Sequence, residues 1–193
     1  TSGTTGIPKG ALLSHLKTFY NTFNAVLYFN MTSKDIMLVV MPLFHSGGLN
    51  ISLIPILYVG GTAVIEKSFD PEQTLSLIEK HRVSMSIMVP TMLNFMIKQG
   101  SIDKYNLSSL RTLLSGGEPI SISLLKAYQE RNIPIRQVFG QTETSIQLWL
   151  SEEDSLRKIG SVGKPVFHSD VQVVNRSGKK VVPGEVGEIV LKG

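Results

Sequence analysis

The stretch 84–98, SMSIMVPTMLNFMIK, joins a strand pattern directly to a helix pattern. Its first six residues form a short apolar run of the kind found in buried strands. Pro90 suits the first turn of a helix, and Leu93, Met96 and Ile97 then fall on one helical face. A strand that leads straight into a helix is the repeating unit of a parallel α/β sheet.

The same alternation continues in both directions along the chain. Asp70 can cap a helix that starts at Pro71, and the Gln73 side chain can accept a hydrogen bond from the Asp70 N–H, as in a capping box. We therefore predict an α/β fold for residues 1–150, with a doubly wound, mostly parallel sheet and flanking helices. Predicted strands lie at 36–41, 62–65, 84–89, 110–114 and 135–139, and predicted helices lie at 47–58 and from residues 70, 90 and 121.

The pattern changes after about residue 151. Short alternating runs at 170–174 and 187–191 are separated by turn signals at 175–178 and at Pro183-Gly184. This predicts that residues 151–193 begin a small β subdomain, part of a distorted barrel. Because the chain opens within a loop sequence, we also expect it to be a fragment of a longer protein.

Composition excludes several classes of function. The sequence has no cysteine, which excludes disulfides, thiolate nucleophiles and Cys-based zinc sites and agrees with a cytoplasmic location. The formal net charge is +4, but the basic residues are scattered and not interleaved with aromatic ones, so we expect no nucleic-acid partner. The apolar stretch 49–59 is too short to cross a bilayer, and a Gly-x-Ser-x-Gly nucleophile motif is absent.

The opening decapeptide TSGTTGIPKG concentrates groups that bind anions. Glycines allow main-chain N–H groups to turn towards a phosphate, hydroxyls add donors, and Lys9 adds a positive charge. The order differs from that of the common NTPase P-loop, because Pro8 precedes Lys9 and Gly10 follows it. On composition alone, a phosphate-binding loop and a flexible linker are both open.

Three later segments carry polar or glycine residues directly after predicted strands. They are Met41–Gly48, with the sequence MPLFHSGG, Ser115–Pro119, with SGGEP, and Val138–Thr144, with VFGQTET. In an open parallel sheet, ligands bind at the carboxyl ends of the strands. Taken alone, Phe139 fits a core position at a strand end better than a binding site, and Glu143 fits a solvent-facing position better than a metal site.

These segments together resemble the adenylate-forming superfamily, which contains acyl- and aryl-CoA ligases, luciferases and peptide-synthetase adenylation domains. Thr1–Gly10 resembles its signature phosphate loop, Ser115–Pro119 its adenine-side loop, and Val138–Thr144 its aromatic-Gly-x-Thr-Glu motif. Residues 184–189, GEVGEI, are similar to a later Gly-Glu-rich strand of that family. The four matches occur in the expected order along the whole chain.

The resemblance implies a role for each matched residue. Phe139 would stack on adenine, although many relatives carry Tyr there, and Glu143 would bind Mg²⁺. His45 and Gly163 would border the substrate pocket, but a hydrogen-bonded structural histidine and a turn glycine explain them equally well. The catalytic set is Lys9, His45, Thr142 and Glu143, and the nucleotide-binding set is Thr1, Ser2, Gly3, Thr4, Thr5, Gly6, Lys9, Gly116, Gly117, Glu118, Pro119, Val138, Phe139, Gly140, Gln141 and Thr142.

The function implied is activation of a carboxylic acid by ATP and Mg²⁺ through an acyl-adenylate, with transfer to coenzyme A. A fatty-acyl or related acid is the first expectation, and a lipid acid would allow a peripheral membrane contact. Alternatives are an o-succinylbenzoate or other aryl-CoA ligase, a peptide-synthetase adenylation domain and a non-enzymatic nucleotide-binding scaffold. The family's ribose-binding acid and adenylation lysine are expected beyond residue 193, so we expect the chain alone to bind nucleotide without turnover.

Overall fold

A seven-stranded sheet organises the computed structural model, which describes residues 6–99, 101–133 and 135–192. The strand order is β2-β1-β3-β4-β5-β6-β7; the first five strands in this order run parallel, and β6 and β7 are added antiparallel. This confirms the predicted mostly parallel sheet. The strands are β1 (Ile36–Val39), β2 (Thr62–Ile65), β3 (Met85–Met88), β4 (Thr112–Ser115), β5 (Ile135–Gln141), β6 (Ser145–Trp149) and β7 (Lys164–Pro165).

Helices precede the first strand, connect the parallel strands and join the last two strands of this sheet. They are α1 (His15–Phe29), α2 (Ile54–Tyr58), α3 (Pro71–His81), α4 (Pro90–Lys98), α5 (Ile122–Gln129) and α6 (Glu152–Arg157), with a short 3₁₀ turn at Ile102–Lys104. The helix predicted over 47–58 is present, but its first part, Gly47–Leu53, is a π-helical segment that runs into α2. Pro55 has no N–H to donate, which favours a change of helix type at this junction.

Helices cover both faces of the sheet, as a doubly wound fold requires. Alternate residues of β1 point to opposite faces. Leu38 packs with Leu75 and Leu93 beneath α3 and α4, whereas Met37 packs with Phe29 of α1 and with residues of α2. Both cores therefore include alternate residues of β1, which follow its period-2 pattern.

Helix α1 was not among the predicted elements, because the usual arrangement of buried apolar and exposed polar residues is inverted in it. Its buried residues are mostly polar, and apolar side chains such as Leu16 and Phe19 are exposed. Ser14 caps the helix by accepting a hydrogen bond from the Lys17 N–H at 3.1 Å. A search for an apolar stripe facing the core misses a helix of this kind.

The start of α3 confirms one half of the predicted capping box. The Asp70 carboxylate accepts a hydrogen bond from the Gln73 N–H at 2.8 Å. The second bond of the capping box, from the Asp70 N–H to the Gln73 side chain, was predicted wrongly. The Asp70 N–H donates instead to the Glu66 carboxylate at 3.2 Å, and this carboxylate also accepts from the Thr74 hydroxyl at 2.7 Å. Burial raises the pKa of the Glu66 carboxyl despite these hydrogen bonds.

An ion pair ties the strands together at their amino ends. The Arg111 guanidinium donates to both carboxylate oxygens of Asp35, at 2.7 and 2.8 Å, and the Ser84 hydroxyl donates to the same group at 2.8 Å. Burial alone would raise the pKa of Asp35, but the hydrogen bonds from Arg111, Ser84 and Thr32 outweigh it and hold the pKa well below its usual range. The starts of β1, β3 and β4 are therefore fixed together.

The last part of the chain forms a second sheet. Strands β8 (Asp170–Val174) and β9 (Glu188–Lys192) pair antiparallel, which confirms the small β segment. Strand β7 pairs with β6, so the first sheet continues past residue 150, and the domain division at that residue stays a prediction. Within the described ranges, no helix is long and apolar enough to span a bilayer.

Candidate functional site

A cavity of about 400 Å³ opens at the carboxyl ends of β1, β3, β4 and β5. Strand β1 lies between β2 and β3, so the order of the strands reverses beside this cavity. Ligands of open α/β sheets bind at such reversal points. The predicted site residues that line it are His45, Gly116, Gly117, Glu118, Val138, Phe139, Gly140, Gln141 and Thr142.

A second cavity of about 310 Å³ adjoins the first. The two share Gly117, Glu118 and the strand end Val138–Gly140. The second cavity is also bordered by Pro119 and Gln137. The two segments predicted to meet the nucleotide, 116–119 and 138–142, thus lie together at one edge of the sheet.

The turn between β5 and β6 presents Thr142 and Glu143. The Thr144 N–H donates to the Gln141 carbonyl at 3.1 Å, and the Gln141 N–H donates to the Thr144 hydroxyl at 3.1 Å. These bonds place Thr142 and Glu143 at the tip, with Glu143 exposed and Thr142 half-buried. The turn is therefore closed by its own hydrogen bonds.

Two neighbouring features leave little space at the base of this turn. A side chain at Gly140 would collide with the carbonyl oxygen of Ser145, and Ser145 itself has a left-handed φ of 56°. A bulge interrupts the β5–β6 pairing between Phe139 and Gly140. Strain of this kind concentrates at functional sites.

Lys17 reaches this turn from α1. Its ammonium donates to the main-chain carbonyl of Thr142 at 2.8 Å. Burial lowers the pKa of Lys17, and the negative charge of Glu143 partly offsets that effect. A positive charge is therefore held directly beside the predicted Mg²⁺ ligand.

His45 is exposed and also lines the first cavity. The Gly47 N–H donates to its Nδ1 atom at 3.0 Å. Because Nδ1 accepts this bond, neutral His45 carries its proton on Nε2. The imidazole can therefore donate a hydrogen bond from its free edge.

Other predicted residues lie elsewhere. Thr1, Ser2, Gly3, Thr4 and Thr5 are outside the described residues, and Gly6 and Lys9 are exposed in the segment that precedes α1. Gly163 lines neither cavity; it has a φ of 91° and its α-carbon lies against the Trp149 carbonyl, which explains glycine there. Its neighbour Val162 borders the second cavity.

Sequence reasoning missed the apolar lining of the first cavity. Met41, Ile51, Ile87, Met88 and Ile146 border it. Three of them are at or just beyond the carboxyl ends of β1 and β3, so the rule for parallel sheets could have identified them. Ile51 and Ile146 lie in the π-helical segment and in β6, and β6 was not predicted.

Glu143 is an exposed carboxylate that suits a metal site shared with a ligand. Across the described ranges, no group of three or more His, Cys, Asp or Glu residues could enclose a metal ion. Mg²⁺ often binds through one or two carboxylates together with substrate phosphate oxygens. Glu143, exposed at the turn tip beside the cavity, fits this single-carboxylate arrangement.

Comparisons with known proteins agree with this geometry. The family model described as "AMP-binding enzyme" matches residues 1–193. The chain is 40% identical to a feruloyl-CoA synthase from Amycolatopsis sp, a match that covers 100% of the chain and 40% of that protein. It is 37% identical to an indoleacetate–CoA ligase from Aromatoleum aromaticum, a match that covers 100% of the chain and 38% of that protein. It also resembles the o-succinylbenzoate coenzyme A synthetase from Bacillus subtilis, solved with ATP and magnesium, with a TM-score of 0.91 and 35% identity, covering 100% of the chain and 40% of that one.

The chain thus spans less than half the length of the relatives it matches. The match nevertheless covers every described element, including both cavities and the turn between β5 and β6. The chain belongs to the family of AMP-binding, adenylate-forming enzymes.

Proposed function

We propose that this chain is the nucleotide-binding part of a longer carboxylate–CoA ligase that works through an acyl-adenylate. The observation that carries the proposal is the convergence of Gly116–Pro119, Val138–Thr142 and His45 on two adjoining cavities. The CoA ligases and synthetases among the relatives support the same activity.

The two cavities suit the two substrates of an adenylation. We assign adenine to the second cavity, which is bordered by the Gly117 main chain, the Gln137 side chain and the Phe139 ring, groups suited to hydrogen bonding and stacking. We assign the carboxylic acid to the first, which is lined by Met41, Ile51 and other apolar side chains. A nucleotide that crosses from one to the other would bring its α-phosphate beside Thr142.

The chemistry proposed is a nucleophilic displacement at phosphorus. A carboxylate oxygen of the acid bonds to the α-phosphorus of ATP, the bond to the β-phosphate oxygen breaks, and pyrophosphate leaves. The thiol of coenzyme A then attacks the acyl carbon, its proton is lost, and AMP leaves. The chain contributes mainly by positioning the reactants and by placing hydrogen-bond donors where negative charge accumulates.

Each polar residue has a place in this scheme. The Thr142 hydroxyl would donate to the α-phosphate, and the Nε2–H group of His45 would orient the carboxylate of the acid. Glu143 would hold Mg²⁺ together with phosphate oxygens, and the ion would supply positive charge next to the departing pyrophosphate. Residues 1–9 would contribute further donors and the Lys9 ammonium.

The acid itself is the open part of the proposal. A fatty-acyl or related acid and an aryl acid both suit an apolar cavity of about 400 Å³. The names feruloyl-CoA synthase and indoleacetate–CoA ligase favour an aryl acid. We therefore keep both classes and expect the aryl class to be the better substrate.

The test is acid-dependent release of pyrophosphate by the ligase that contains this chain. We expect release with ferulate, indoleacetate, 2-succinylbenzoate or fatty acids of graded length, followed by formation of the CoA thioester. Release with amino acids only would instead identify a peptide-synthetase adenylation domain. Nucleotide binding without release for any acid would support a scaffold and contradict the proposal.

Phe139→Ala tests the assignment of the base. Loss of one aromatic–base stack costs about 1–3 kcal/mol, which corresponds to an increase in the KM for ATP of about five- to 150-fold. Phe167→Ala is the matched control, because Phe167 is an exposed phenylalanine outside both cavities. Equal KM values for the two variants would contradict the placement of adenine.

A further inference from the structure

Helix α1 packs its polar side against elements that carry residues of the first cavity. It packs against the π-helical segment, α2 and β6, and its buried residues include Asn21, Thr22 and Asn24. Buried polar side chains are costly unless they form hydrogen bonds. Lys17 and Asn21 lie one turn apart, and their partners Thr142 and Ile146 both line the cavity.

Lys17 contacts the side that carries Thr142 and Glu143. Its ammonium donates to the Thr142 carbonyl at 2.8 Å across 125 residues of sequence. The turn 141–144 closes on itself through its own hydrogen bonds, but within those bonds the Thr142 carbonyl is not used. Lys17 therefore ties the tip of the turn to the helix.

Asn21 joins β6 to the segment that follows His45. Its Nδ2 group donates to the Asn50 carbonyl at 2.6 Å, and its Oδ1 atom accepts from the Ile146 N–H at 3.2 Å. The side chain is 5% exposed, so both bonds are shielded from water. The Leu49 N–H in turn donates to the His45 carbonyl at 3.1 Å, which connects this segment to the imidazole.

We propose that Lys17 and Asn21 are positioning residues that hold Thr142 and His45 at a fixed separation across the first cavity. The proposal rests on the proposed function, because it assigns Thr142 to the α-phosphate and His45 to the acid. Lys17 controls the phosphate side alone. Asn21 controls the spacing of both sides, since its two bonds end on different elements.

Lys17→Met in the full-length ligase separates the phosphate side from the acid side. The methionine keeps the unbranched chain up to the Cε atom and removes the charged donor. We expect the KM for ATP to rise about tenfold, the value for a lost hydrogen bond to a charged group, with the KM for the acid within about twofold. Lys17→Arg, which retains a donor and the charge, should restore most of the ATP affinity.

Lys126→Met is the matched control for Lys17, because Lys126 is an exposed lysine on α5. Unfolding midpoints of all variants identify any general loss of stability. If Lys17→Met and Lys126→Met have the same KM for ATP while the wild-type ligase is active, the role of Lys17 is overturned. If the wild-type ligase is inactive with every acid, the failure belongs to the proposed function.

Asn21→Leu is tested by hydrogen exchange, which requires no catalysis. Its control is Asn24→Leu, another buried asparagine of α1, whose side chain pairs with His168 at 3.0 Å. We expect exchange of the Ile146 amide to accelerate at least about tenfold in Asn21→Leu and to stay near the wild-type rate in Asn24→Leu. Equal exchange in the two variants would overturn the role of Asn21.

Discussion

Gly140 is the residue on which the shape of the β5–β6 turn depends most directly. A methyl group at this position would collide with the Ser145 carbonyl, and the main chain at Ser145 is already left-handed. Relief requires opening the turn that carries Thr142 and Glu143. The sequence reasoning identified Gly140 as part of a motif, but the collision depends on a strand that it did not predict.

We expect Gly140→Ala to lower the free energy of unfolding by about 1–3 kcal/mol, the usual cost of overpacking. Urea denaturation of the chain measures it. Gly10→Ala is the control, since nothing lies within 4 Å of a side chain there. A loss in Gly140→Ala no larger than that in Gly10→Ala would contradict the close approach.

Asp35 is a residue whose contribution depends on pH. Its pKa is lowered in the folded chain, so its stabilisation is complete above the unfolded pKa near about 4 and is lost as pH falls towards the folded pKa. Asp35→Asn should cost about 2 kcal/mol at pH 7, less than a fully buried pair, because the Arg111 side chain is 35% exposed.

Urea unfolding at pH 7 and at pH 3 measures this effect. The difference between the wild type and Asp35→Asn should shrink at the lower pH, where the unfolded carboxylate is largely protonated. Asp103→Asn, which alters the more exposed pair with Arg131, should have the smaller effect at pH 7. A difference for Asp35→Asn that stays constant between the two pH values would contradict the lowered pKa.

At the scale of elements, prediction succeeded where apolar periodicity and helix caps agree. The starts of α3, α4 and α5 were predicted from Asp70, Pro90 and Ser121, and Asp70 and Ser121 form the expected capping bonds. Helix α1 was not predicted because its buried face is polar. Strand β6 was not predicted because it pairs antiparallel with β5 through a short turn. The alternation of strands and helices around it predicted only parallel strands joined by helices.

Helix α3 offers a direct comparison of two residues of one predicted motif. Asp70→Ala removes the accepting carboxylate and should lower the free energy of unfolding by about 1 kcal/mol. Gln73→Ala should leave it within about 0.5 kcal/mol, because Gln73 contributes its main-chain N–H and alanine retains that group. Thermal unfolding of both variants checks this, and equal losses would contradict the observed capping pattern.

At the scale of the whole molecule, the sheet edge brings together segments that are nearly 100 residues apart in sequence, from His45 to Thr142. Motif resemblance identified most of the polar residues there. It could not identify Lys17 or Asn21, because their role arises from contacts between α1 and distant main-chain groups. Such contacts leave no periodic signal in the sequence.

Binding of a nucleotide should stabilise the whole chain. ATP at 100 times its dissociation constant would raise the free energy of unfolding by about 2.7 kcal/mol, since it binds the folded state only. Thermal unfolding with and without ATP and Mg²⁺ measures this. Phe139→Ala should show a smaller shift at the same ATP concentration, and an unchanged shift would contradict contact between the ring and the base.

The residues shared by the two cavities form a common wall between them. Because Phe139 borders both cavities, a rotation of its ring that enlarges one cavity can reduce the other. If a ligand in the first cavity changes the affinity of the second cavity by some factor, a ligand in the second changes the affinity of the first by the same factor. Under the proposed function, a substitution at these shared residues that admits a bulkier acid would therefore also change the affinity for the nucleotide.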